Sequence, residues 1–197
     1  MSDAAIMQAI RAHLGLRQAD LGIWLALGRT QIANVETGRE PLPRHARPWL
    51  RAAEAVLALP EAEDSAAPEP FAPLPAVPAT GPAAVLARLH ECDYQARRLH
   101  QQLRALRQTQ RLAARRLAAG PLLRAALPPP PAAPEAAPEP PALLLRRRWL
   151  VRLLEAAADA LLPEAATGPV ATTLLAARLG AWQHEAALLR AGLPEEP

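Results

Sequence analysis

From Arg29 to Glu36 the chain reads RTQIANVE, residues that divide into two kinds when set 100° apart on a helix. Ile32 and Val35 fall on one side. Thr30, Ala33, Asn34 and Thr37 fall on the other, with Arg29 and Gln31 at its flanks. One buried face and one polar face is what a helix lying in the major groove of DNA requires. The guanidinium of Arg29 suits guanine O6 and N7, and the carboxamide of Asn34 suits adenine N6 and N7. Thr30 or Ala33 suits a thymine methyl. Arg17, Thr37, Arg39 and Arg44 border the same surface and suit phosphates, which hold register without reading sequence.

Presenting such a face needs a scaffold, and the flanking sequence supplies one. The stretch RQADLGIWLALGRTQIANVETGR predicts two short helices, 18–25 and 29–36, joined by a tight turn. Ile6 and Ile10 at helical spacing predict a first helix over 5–13. Gly38 is placed to stop the third helix in a left-handed conformation. Pro48 suits the first turn of a further helix running through Leu57, with Trp49, Leu50, Ala53, Val56 and Leu57 as its buried face.

Gln18, Leu21, Leu25, Ile32 and Val35, followed by Glu36 and Gly38, occupy the positions where one known family places its glutamine, its packing residues and its closing E-x-G. Over residues 6–57 the chain resembles the phage-repressor (Xre/Cro) helix-turn-helix family. The resemblance implies a four- or five-helix domain over 1–59 and sequence-specific binding of double-stranded DNA by a transcriptional regulator of the repressor type. It also implies that Arg29, Thr30 and Asn34, with Gln31 beside them, reach bases. Gln18 would touch a phosphate and brace the recognition helix. The chain departs from the pattern at four positions. Ala26 stands where the turn holds glycine, at a cost of about 1 kcal/mol if the backbone goes left-handed. Gly28 and Arg17 replace capping serines, and Gly22 replaces an alanine at a site expected to demand only a small residue.

Beyond residue 59 no family resemblance extends. The 197 residues include 23 prolines, and the apolar fraction of 51% is mostly alanine and leucine, which favours small helical units joined by tethers. Proline-rich spacers are expected over 60–82 and 120–141. Between them, 83–119 predicts one long amphipathic helix. Its Val85, Leu89, Cys92, Ala96, Leu99, Leu103, Leu106, Gln110, Ala113 and Leu117 recur in steps of four and three. That seam suits either a coiled-coil homodimer or a three-helix bundle with the helical pair expected over 142–193. The pair's apolar faces are read as Leu144, Leu145, Val151, Leu154, Ala158 and Leu161, then Leu174, Leu175, Leu179, Trp182, Leu188 and Leu189.

All 22 basic residues are arginine, and eight of them lie in 86–119 against Glu91 and Asp93, a local charge of +6 in a chain of net +3. Such a stripe suits phosphate or an acidic partner. The competing reading is therefore a protein-interaction or antitoxin-like module that binds a partner protein through residues 83–193. Cys92 alone excludes an internal disulfide and a cysteine-based zinc cluster. The five histidines match no metal-binding spacing and no phosphate-binding glycine loop occurs, so neither an enzyme nor a cofactor or metal site is expected. With no run of about 18 apolar residues and no signal-peptide pattern in MSDAAIMQAI, a cytoplasmic protein without a membrane span is expected. The fold class that follows is all-α.

Overall fold

The structure, a computed structural model, describes residues 2–60, 75–78, 80–129 and 138–193. The described residues form seven α-helices and two short 3-10 turns, with no strand. The fold is all-α, as the sequence predicts. Most of the expected spacers, residues 61–74, 79 and 130–137, lies outside the described residues.

Helix α1 (Asp3–Leu14) starts where Ser2 Oγ accepts from the Ala5 N–H at 3.3 Å, and it stops at Gly15, whose φ of 61° favours glycine. Its Ile6, Met7, Ile10 and Leu14 make one buried face. Helices α2 (Gln18–Leu25) and α3 (Arg29–Glu36) follow. Then comes α4 (Arg47–Glu54), between 3-10 turns at Arg44–Ala46 and Ala55–Ala58. Leu50, Ala53 and Val56 are buried here as expected, and Trp49 and Leu57 partly so.

The long helix α5 (Ala83–Ala125) runs six residues past its expected end at 119, straight through Pro121. A proline inside a helix removes one hydrogen bond. Packing offsets that loss: Ala119 and Leu123 are buried, and a Cβ on Gly120 would lie 3.1 Å from the Leu154 methyls. Helices α6 (Pro141–Ala160) and α7 (Pro169–Ala191) complete the chain.

Two compact units form. The first comprises Met1–Ser65 with Arg111–Asp159, the second Ala66–Gln110 with Ala160–Pro197. In the first unit, one core unites α1–α4 with Ala119 and Leu123 of α5 and Trp149, Leu150 and Leu154 of α6. The buried face of α6 is Arg146, Trp149, Leu150, Leu154 and Ala157. The expected face was rotated, for Leu144, Leu145 and Val151 are 40–55% exposed. In the second unit α7 lies along the seam of α5. Leu89 and Cys92 pack with Ala186, and Ala96 and Leu103 with Leu179. Gln110 donates to Thr167 O at 2.7 Å and to Thr172 Oγ1 at 2.8 Å, closing that end of the contact. Of the ten seam residues only Leu117 is exposed, and Val85, Leu89, Cys92, Ala96, Leu99, Leu103 and Gln110 are covered from within the chain by α7, without α6. Leu174 and Leu188, expected on the inner face of α7, are exposed.

Candidate nucleic-acid interface

The orientation of α3 is set at its C-terminal residue. The Glu36 side chain is only 6% exposed, and its Oε1 accepts from Arg11 Nε at 2.7 Å while Oε2 accepts from Gln18 Nε2 at 2.9 Å. Gln8 Nε2 donates to the Glu36 main-chain oxygen at 3.2 Å. One residue therefore ties α3 to both α1 and α2. Ile32 and Val35, on the same side of α3, anchor it in the core at 0% and 3% exposure.

The turn from α2 to α3 is tight. Leu25 ends α2, and Ala26 follows at φ 55°, ψ 44°, the left-handed region where a Cβ is strained. It is the only described non-glycine residue there, and Gly28 at φ −68° does not take the role over. The Leu27 N–H then donates back to Gly22 O at 2.9 Å. A Cβ on Gly22 would stand 2.6 Å from Leu27 O, so the expectation that any small residue serves there is corrected. Only glycine fits without a backbone shift. The missing caps are replaced from the third helical position. Asp20 Oδ2 accepts from the Arg17 N–H at 2.9 Å, and Gln31 Oε1 from the Gly28 N–H at 3.1 Å.

On this frame Arg29, Thr30 and Gln31 are exposed on the outer face of α3, and Asn34 is half-buried one turn on. Gln31 is engaged in capping its own helix. Asn34 Nδ2 donates to Glu40 Oε1 at 2.8 Å; a carboxylate only accepts, so the amide orientation is fixed with Oδ1 turned away from Glu40. Thr37 is exposed, its Oγ1 within 2.9 Å of Ala33 O. Arg39 and Arg44 are exposed at the C-terminal side, and Arg17 at the start of α2 is 87% exposed beside Asp20. Gln18 braces α3 through Glu36, which commits one of its two amide hydrogens.

Three further arginines shape this surface, and sequence reasoning missed what they do. Arg11 holds Glu36. Arg116 Nε donates to Leu14 O at 2.8 Å and its Nη2 to Gly15 O at 3.1 Å, capping α1. Arg146 Nε donates to Trp24 O at 2.6 Å in the last turn of α2, with its guanidinium 3.8 Å from the Trp49 ring centroid. Positive charge at a helix C-terminus meets the negative end of the helix dipole. Burial pushes both guanidinium pKa values below their usual range. A signal existed for Arg146: it sits at i, with Trp149 at i+3 and Leu150 at i+4, inside the apolar stripe.

Among the described residues, no group of three or more histidine, cysteine, aspartate or glutamate side chains is placed to hold a metal ion, and no helix is long and apolar enough to cross a membrane. No family model matches the chain, and neither curated proteins nor solved structures provide a match.

Proposed function

We propose that this protein is a sequence-specific, double-stranded DNA-binding transcriptional regulator of the Xre/Cro helix-turn-helix type, acting in the cytoplasm. The observation that carries the reading is the presentation of α3. Its Arg29, Thr30 and Asn34 side face outward while Glu36 fixes its direction through Arg11 and Gln18. A groove-reading helix that is held rigid before it binds loses less entropy on docking. Arg29 takes a guanine edge and Asn34 an adenine edge, with Gln31 and Thr30 alongside. Arg17, Gln18, Thr37, Arg39 and Arg44 hold the phosphates around them.

Selection of bound duplexes from a random DNA pool tests this reading with the full chain. A recovered consensus of a few base pairs supports it. A pool that stays random after repeated rounds, at low salt, rejects it.

One observation favours a second reading, a module that binds a partner protein. The outer side of α6 carries exposed Leu144 and Val151 between Arg147 on one side and Arg148 and Arg152 on the other, with exposed Leu145 beyond them. An apolar strip edged by guanidinium groups suits an acidic amphipathic segment of another protein. Val151→Asp together with Leu145→Asp abolishes partner binding on this reading and leaves duplex selection unchanged.

A further inference from the structure

Helix α7 has two apolar faces, and among the described residues only one of them packs within the chain. Leu179 and Ala186 point inward and are buried, with Leu175 and Trp182 beside them. On the opposite side Val170, Leu174, Ala177, Ala181, His184 and Leu188 follow one another in steps of four and three. Val170, Leu174 and Leu188 are 42%, 54% and 60% exposed, and no charged residue interrupts the strip. A 3.5-residue repeat on an outer face is the pattern of a helix that pairs with another helix.

The residues flanking the strip specify the partner. Setting them 100° apart puts Arg178 and Glu185 along one edge and Thr173, Gly180 and Ala187 along the other. In an antiparallel pair of identical helices, like edges face each other. A two-fold axis near Ala181 then brings Arg178 opposite Glu185 of the second copy, twice over by symmetry. The small edge meets itself at Gly180, beside which nothing lies within 4 Å of a built Cβ. Leu174 meets Leu188, and Ala181 meets Ala181. In a parallel pair the charged edge would face the small edge, and no opposite charges would meet. Glu185 is already held in place by Arg88, whose Nε and Nη2 donate to it at 2.6 and 2.9 Å.

From this self-complementary charge and apolar pattern, we infer that α7 is a homodimerisation surface on which a second copy of the chain docks antiparallel. One helix pair buries less than the roughly 1,200–2,000 Å² of a standard interface. The dimer is accordingly weak and concentration-dependent, and two copies on a DNA palindrome would reinforce it.

Disulfide trapping in the full chain tests the inference. The native Cys92 is silent, because it is buried and desolvation pushes its thiol pKa up. Under mild oxidation Ala181→Cys cross-links to itself. Leu174→Cys and Leu188→Cys cross-link only when mixed. Strong self-linking of Leu174→Cys alone would mean a parallel pair and overturn the antiparallel assignment. Sedimentation of the wild type at rising concentration shows a dimer, and the exposed-site variant Leu188→Arg remains monomeric with unchanged helix content. A wild type that stays monomeric up to about 500 micromolar, where any dissociation constant below millimolar would show, overturns the proposal. So does a dimer that Leu188→Arg leaves intact.

Discussion

Ala26 carries a side chain in the left-handed region, and Gly22 lacks one where Leu27 O passes within 2.6 Å of the missing Cβ. These two residues make opposite predictions for one small change. Ala26→Gly relieves the strain and stabilises the chain by about 1 kcal/mol, less the extra unfolded-state entropy of glycine. In thermal unfolding that is a rise of about 2–4 °C per kcal/mol for a chain of this length. Gly22→Ala pushes a methyl into a main-chain oxygen and lowers the midpoint. Arg29 and Asn34 belong to the same scale. Arg29→Ala or Asn34→Ala costs about 1–3 kcal/mol on the selected duplex and relaxes preference at one base pair each. If both variants retain full affinity in a titration, these side chains do not read bases.

At the level of elements, α6 is part of the core beneath the presented helix. Arg146 caps α2, and Trp149 lies with its ring centroid 5.9 Å from that of Trp24. Trp149→Ala should cost about 3–5 kcal/mol, as for other large-to-small changes in a core. Arg146→Met keeps the bulk but leaves Trp24 O without this donor, and should cost about 1–3 kcal/mol. Denaturant unfolding followed by tryptophan fluorescence reads both. A fully stable Trp149→Ala variant would mean that α6 does not hold the unit together. The α1–α4 helices were legible because their signals are local: Ile6 and Ile10 at helical spacing, Glu36 and Gly38 at the close of α3, and Pro48 in the first turn of α4. The face of α6 was not, because an arginine occupies the core stripe while three aliphatic side chains face out. No single-residue preference reports that exchange. The end of α5 was misjudged for a related reason: Gly120 and Pro121 are breakers locally, and the packing that overrides them comes from Leu154, far along the chain. Of the candidate site, the outward residues were legible from their 100° spacing. The Arg11, Arg116 and Arg146 contacts were not, since each depends on which elements meet.

For the whole molecule, the charge is a modest net +3, so affinity for a polyanion rests on where the arginines stand. Arg39→Ala and Arg44→Ala should weaken specific and non-specific duplexes alike. Each should flatten the slope of log affinity against log salt by about one unit for a lost phosphate contact. A loss confined to one sequence with the slope unchanged would assign these arginines another task. The core of the first unit also has a consequence for how the chain is made. Val56 and Ala157 belong to one unit, yet about 100 residues of synthesis separate them, which at ribosomal rates is about 5–20 s. Until Arg116 and then Arg146 are made, the nascent N-terminal helices lack the guanidinium that closes α1 and the one that closes α2, and Trp24 lacks Trp149. The helices α1–α4 are thus complete as sequence before the arginines that cap α1 and α2 exist. If α3 reads DNA as proposed, a chain truncated before Arg116 would present it on a unit without the C-terminal caps of α1 and α2 and without the Trp24–Trp149 contact.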